Sequence, residues 1–124
     1  MTTQNVIFQI LGGLGKSILS TAVLKVIKKE FPKSNIIVIT HYTDVFVNNP
    51  NVNLVLNPIQ ATGLFKKYIE NKKTKVFVSD PYNQSDYITE SKHLLEIWCE
   101  MYGLKYNGEQ PEIFLSKGEK EYFA

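Results

Sequence analysis

The chain has 124 residues, enough for one domain with one core. Its 44% hydrophobic and 21% charged residues are those of an ordinary soluble globule, and no apolar run approaches the roughly 20 residues needed to cross a bilayer. The net charge of +2 comes from 14 basic residues that are all lysine, so the side chain best suited to bidentate phosphate or guanine contacts is missing and a dedicated nucleic-acid reader is not expected.

The polar, uncharged start from Met1 to Asn5 leads straight into a strand-like run and does not resemble a signal peptide. Val6–Leu11 (VIFQIL), Asn35–Thr40 (NIIVIT), Val52–Leu56 (VNLVL) and Lys75–Ser79 (KVFVS) are short and rich in β-branched residues. Near-continuous apolar runs of this kind suit strands covered on both faces of a parallel sheet. Between the first two lies a helical pattern over Ser17–Phe31. Leu19, Ala22, Val23, Val26 and Ile27 share a stripe there, Lys25, Lys28 and Lys29 fall largely off it, and Pro32 stops the helix.

Thr62 is placed to cap a second helix carrying Leu64, Phe65, Tyr68 and Ile69. A third is expected over about Thr89 to Tyr102, with Leu94, Ile97, Trp98 and Met101 on one face. Gly103 then stands where a left-handed residue ends a helix, and Leu104 supplies the apolar contact that accompanies it. Asn107–Gly108 marks a turn, and Glu112–Leu115 reads as a short fifth strand. Strands alternating with helices predict an α/β fold, a Rossmann-like open parallel sheet flanked by helices with right-handed crossovers.

Ser116 and Glu119 have the spacing of a capping box, so a helix is expected to begin near the end of the sequence. One organisation consistent with this is a domain over residues 1–115, with 116–124 opening a linker helix toward a second domain. The other has the short helix packing back on the first.

The densest chemical information lies in Ile10-Leu11-Gly12-Gly13-Leu14-Gly15-Lys16-Ser17. Glycines between a buried strand and a helix allow positive φ and close approach of backbone N–H groups to a ligand. The helix N-terminus adds partial positive charge, so Gly12, Gly13, Gly15, Lys16 and Ser17 form a candidate phosphate or substrate cradle. Tight strand–helix packing alone would also use these glycines. Lys16 is unusual locally: a cation in the first helical turn opposes the dipole at about 0.3–1 kcal/mol, which a bound anion would offset.

Gly15-Lys16-Ser17 matches the end of a P-loop, and Val76-Phe77-Val78-Ser79-Asp80 has the form of a Walker B strand. Against this, the first glycine position of the P-loop holds Ile10, and the lysine of the deviant Walker motif is replaced by Leu11. The turn together with Ser17–Pro32, Asn35–Thr40 and Val45-Phe46-Val47-Asn48-Asn49-Pro50-Asn51-Val52-Asn53-Leu54-Val55 resembles the opening of glycosyltransferase family 9, the heptosyltransferase-like enzymes of GT-B type. Pro111–Leu115 is similar to the approach to the interdomain linker of that family. Asp80-Pro81-Tyr82 and Lys92–Cys99 resemble glycosyltransferase-like proteins of phage genomes.

The resemblance implies the N-terminal, acceptor-binding half of a two-domain enzyme. Such an enzyme moves a sugar from a nucleotide sugar, held by the other domain, to a glycan or lipid-linked acceptor, with no essential metal and no tightly bound cofactor. The half should not turn over alone, and a second GT-B domain or a homo-oligomer would complete it. Where the family usually places a catalytic Asp after the glycines, this chain has Lys16, and a protonated ammonium cannot act as a general base. A sugar- or phosphate-binding module without catalysis is therefore the alternative.

His41 after the second strand and Asp80 after the fourth are candidate bases near the same predicted sheet edge, and Tyr42 and Tyr82 are placed to stack on a sugar ring. Turn formation by Asp80-Pro81 and strand-end packing by His41 are the competing structural roles. His93, Trp98 and Cys99 read as structural, and the two histidines and one cysteine are too scattered for a metal site. A single cysteine leaves no internal disulfide and fits a reducing, cytoplasmic setting.

Overall fold

A computed structural model describes residues 5–69, 73–78 and 94–114. Four strands, β1 (Asn5–Ile10), β2 (Asn35–Thr40), β3 (Leu54–Leu56) and β4 (Thr74–Phe77), form one sheet in the order β3-β2-β1-β4. Every pairing is parallel, with Ile10 opposite Thr40 and Phe8 opposite Phe77. Among the described residues the helices are α1 (Leu14–Glu30), α2 (Pro58–Ile69) and α3 (Leu94–Met101), and a 3-10 turn spans Thr43–Val45. This is the Rossmann-like open sheet expected from the alternation of segments.

Side-chain alternation along β1 divides the core into two layers. Val6, Phe8 and Ile10 join Ala22, Val23, Leu24, Val26 and Ile27 of α1 and Leu95, Trp98 and Cys99 of α3. Ile7 faces the other way, toward Ile37, Ile39, Leu56 and Ala61 of α2. The helices therefore cover both faces, as right-handed crossovers require when the strand order runs outward in both directions from β1. Phe8 meets Trp98 and Tyr102 edge-on, and the ring of Tyr102 stacks on Phe77 at 4.5 Å. Trp98 and Cys99 are core residues, as expected, but the buried face of α3 is Leu95, Ile97, Trp98 and Cys99, while Leu94 and Met101 of the expected face are half-buried.

Several boundaries differ from expectation for local physical reasons. Leu11 lies outside β1 and is exposed, because the chain turns at Gly12 with φ +121°. Val52 and Asn53 precede β3: the Asn53 side-chain carbonyl accepts the Ile36 N–H at 2.8 Å, while the Asn53 N–H donates to Ile36 O at 2.8 Å. α1 begins at Leu14, ahead of the predicted Ser17, and Phe31 is its C-cap.

α2 is not capped by Thr62. It begins at Pro58, where Asn57 and Gln60 cap one another. The Gln60 N–H donates to the Asn57 side chain at 2.8 Å, and the Asn57 N–H donates to the Gln60 side chain at 2.9 Å. Pro58 suits the first helical position because no N–H is needed there. Thr62 instead donates its hydroxyl to Pro58 O at 3.1 Å from within the helix. The side chains of Leu64, Phe65, Tyr68 and Ile69 lie outside the described residues.

α3 ends as the sequence predicts. Gly103 has φ +72°, its N–H donates to Glu100 O, and the Leu104 N–H reaches Cys99 O, the paired bonds of a Schellman motif. The start of this helix at Thr89, with His93, lies outside the described residues, as does the helix expected after Ser116.

Among the described residues the predicted fifth strand does not form: Glu112–Phe114 crosses α1 without joining the sheet, and Leu115 lies outside the described residues. The Glu112 N–H that a strand would pair donates instead to Thr21 Oγ1 at 2.8 Å. Ion pairs from Lys25 to Glu112 (2.7 Å) and Lys29 to Glu109 (3.3 Å) hold the same segment over the helix.

Candidate functional site

The carboxyl ends of β1 and β2 leave the sheet at one level, since Ile10 and Thr40 are in register. This edge is where open parallel sheets place ligands. Three residues, Leu11–Gly13, join β1 to α1, so Gly15, Lys16 and Ser17 sit in the first turn of the helix rather than on a loop. Gly13 is the N-cap, makes no side-chain cap bond, and receives the Ser17 N–H on its carbonyl at 3.2 Å. No acidic residue occupies the first turn, so this end of the helix keeps the polarity that favours an anion.

Lys16 folds back across the turn. A Cβ on Gly12 would lie 3.1 Å from Lys16 Cδ and 3.5 Å from its Nζ, so the glycine makes room for the lysine stem. The positive φ of Gly12 gives a second reason for glycine there. Gly13 and Gly15 have open space where a Cβ would stand, and Gly12, Gly13 and Gly15 are all exposed. Backbone and ammonium are thus gathered at one exposed turn.

Ser17 differs from its neighbours. Its side chain is fully buried, and its hydroxyl lies 3.5 Å from that of Thr40, at the end of β2. Thr40 Oγ1 also accepts the Tyr42 N–H at 3.1 Å. The hydroxyl pair ties the first turn of α1 to the loop carrying His41 and Tyr42, a structural connection that spacing along the chain does not reveal. His41 is exposed immediately after β2, and Tyr42 is 39% exposed, so both stand at the edge that carries the glycine turn. Asp80 and Tyr82 lie outside the described residues.

Among the described residues, no group of three or more His, Cys, Asp and Glu side chains could hold a metal ion, and no helix is long and apolar enough to cross a membrane. The Cys99 thiol is pushed up to about 12, chiefly by burial and secondarily by the Glu109 carboxylate. Burial acts to raise the Glu109 carboxyl, but the N–H groups of Asn107 and of Glu109 itself, together with Lys29, outweigh it and hold the group below its ordinary value. Both groups belong to the packing of α3 and the crossing segment, away from the sheet edge.

A concavity lies on the α2 face of the sheet. It has a volume of about 280 Å³ and is lined by Gln9, Ile39, Pro58, Ala61 and Thr62. Sequence reading assigns Gln9 no role; the available signal is a polar residue within the apolar run VIFQIL.

No protein-family model and no curated protein gives a significant match to the sequence. Among solved structures, the chain is similar to "The crystal structure of the glycosyl transferase family 9 from Veillonella parvula DSM 2008", with a TM-score of 0.51 and 21% identity. The match covers 75% of this chain and 30% of that one, so the chain spans less than a third of the length of the structure it resembles. At this identity the likeness concerns the fold, and it agrees with the α/β, Rossmann-like sheet flanked by helices.

Proposed function

We propose that the chain is the acceptor-side half of a heptosyltransferase-like GT-B glycosyltransferase. It works in the cytoplasm and serves the transfer of a sugar from a nucleotide sugar to a glycan or lipid-linked acceptor. The observation that carries this reading is the turn at Gly12–Lys16: an uncapped helix N-terminus, a positive-φ glycine and a lysine folded over it, at the carboxyl edge of a Rossmann-like sheet. Fold likeness to a glycosyl transferase supports the same reading. Lys16 and the N–H groups of the first turn hold an anionic group of the substrate, a phosphate above all. Lys16 is not the base. That role falls to His41, at the same edge, or to Asp80, and the nucleotide sugar is bound by a second domain.

The chain is the binding half, so the sugar-transfer assay uses a version that carries a second, nucleotide-sugar-binding domain. Transfer from one of a panel of nucleotide sugars to an added acceptor, lost on removal of that domain, supports the proposal. Acceptor binding without turnover for any donor favours the non-catalytic module instead, a reading that Lys16 in place of an acidic residue keeps in view. A P-loop NTPase fits less well. Its serine hydroxyl must reach a nucleotide-bound cation, whereas Ser17 is fully buried against Thr40.

A further inference from the structure

The α2 face of the sheet begins at Asn5 and Asn35, which hydrogen-bond each other at 3.4 Å, and beyond them is apolar along β1 and β2 except at Gln9. Ile7, Ile37 and Ile39 face Leu56 and Ala61, with Val76 packed alongside. Gln9, two residues after Ile7 on the same face, is half-buried and lines the 280 Å³ concavity with Ile39, Pro58, Ala61 and Thr62. An amide on an otherwise apolar wall is costly to desolvate unless something hydrogen-bonds it. Its place near the carboxyl ends of the two central strands is where α/β sheets bind small molecules, and the volume is just below the roughly 300–1,000 Å³ of typical ligand pockets.

The polar groups on the wall define the ligand. Gln9 offers two N–H donors and a carbonyl acceptor. The Thr62 hydroxyl gives its proton to Pro58 O at 3.1 Å, so toward the concavity it presents lone pairs that accept. None of the five described lining residues is charged, and Ile39, Pro58 and Ala61 supply apolar surface. A phosphate or carboxylate would find no cation among them. A neutral ring with hydroxyl groups on its rim and C–H groups on its face finds both kinds of partner.

We infer that this concavity is a binding site for a neutral saccharide ring, with Gln9 as its recognition residue and Thr62 as a second hydrogen-bond acceptor. The site is distinct from the anion-holding turn at Gly12–Lys16, on the other side of the strand. It deepens the glycosyltransferase reading by giving the acceptor an uncharged sugar recognised beside the sheet edge. It rests on that reading only for the identity of the occupant.

The test is amide-resolved NMR of the full chain titrated with methyl glycosides of glucose, galactose and N-acetylglucosamine, each to tens of millimolar. Saturable shifts of the Gln9 side-chain amide and of the Ala61 and Thr62 backbone amides are expected for at least one glycoside. Gln9→Leu should weaken that binding at least tenfold and Thr62→Val several-fold. Gln9→Asn, which withdraws the amide by one methylene, serves if the leucine variant fails to fold. No saturable shift at these residues with any of the three glycosides overturns the inference, as does binding indifferent to both Gln9 variants. Shifts confined to Gly12–Lys16 and abolished by Lys16→Ala would also overturn it, while leaving the anion-binding turn standing. Binding here without sugar transfer in the two-domain assay would contradict the enzymatic reading alone.

Discussion

Lys16 lies directly over Gly12, with its Cδ 3.1 Å from where a Cβ on that glycine would stand. The contact joins a backbone requirement to a side-chain position. Gly12 needs a φ of +121°, which side chains rarely adopt, and the space above it is occupied by the lysine stem. Gly12→Ala is expected to destabilise the protein by about 1–3 kcal/mol and to displace Lys16, as measured by thermal unfolding and by the Lys16 side-chain NMR signals. An unchanged melting temperature would show that the turn tolerates a side chain.

Gly15 should respond with the opposite sign. It sits inside α1, and a Cβ there would meet nothing within 4 Å. Gly15→Ala should stabilise the fold by roughly 0.5–1 kcal/mol through helix propensity and reduced unfolded-state entropy. The added methyl stands on the proposed anion-binding turn, so the same variant should bind a phosphorylated sugar more weakly. Denaturant unfolding paired with calorimetric titration separates the two effects.

The reciprocal cap of α2 is a local, measurable unit. Removing the Asn57 side chain by Asn57→Ala should cost about 0.5–2 kcal/mol. Gln60→Ala should cost less, because Gln60 satisfies the single N–H of Asn57 at an exposed site. The two losses should be non-additive in a double-mutant cycle, since each side chain holds the other's backbone. Additive losses would mean that the two bonds form independently.

Glu109 links stability to acid pH. Its carboxyl is held below the ordinary value in the folded protein by the N–H groups and lysine that overcome its burial. Its contribution is therefore complete above the unfolded carboxylate pKa of about 4.3 and is lost as pH falls through the lower folded value. Glu109→Gln should flatten the fall in unfolding free energy below about pH 4.3. High salt should change this little, because Lys29 is exposed and already screened by water, whereas the Asn107 N–H donates to the carboxylate at 2.7 Å.

Cys99 should resist modification while the protein is folded. The thiol is buried and pushed up to about 12, so almost no thiolate exists at neutral pH. Labelling with a thiol reagent at pH 8 should follow global unfolding and become fast only in denaturant. Rapid stoichiometric labelling of the native protein would contradict the placement of α3 against α1.

The sheet was legible because its strands carry near-continuous β-branched runs, and α3 because Gly103 marks its end. The start of α2 differs from the expected Thr62 cap, although Asn57-Pro58-Ile59-Gln60 has the spacing of a reciprocal cap around a first-turn proline. The predicted fifth strand failed because Thr21, on the helix, offers Glu112 a backbone partner outside the sheet. The glycine turn is legible from the order Gly12-Gly13-Leu14-Gly15 between a strand-like run and a helical pattern. The burial of Ser17 is not, because its partner Thr40 is 23 residues away in sequence. Gln9 likewise gains meaning only when α2 folds over the opposite face and leaves an amide at the wall of a concavity.

The account turns on what Gly12–Lys16 holds. Calorimetric titration with glucose 1-phosphate, with Mg-ATP as the comparison and Lys16→Ala as the control, tests it most directly. Saturable binding of the sugar phosphate, weakened at least tenfold in Lys16→Ala and with no binding of Mg-ATP, is the predicted result. Micromolar binding of Mg-ATP that Lys16→Ala abolishes, without binding of the sugar phosphate, would contradict the account and favour a nucleotide-binding loop.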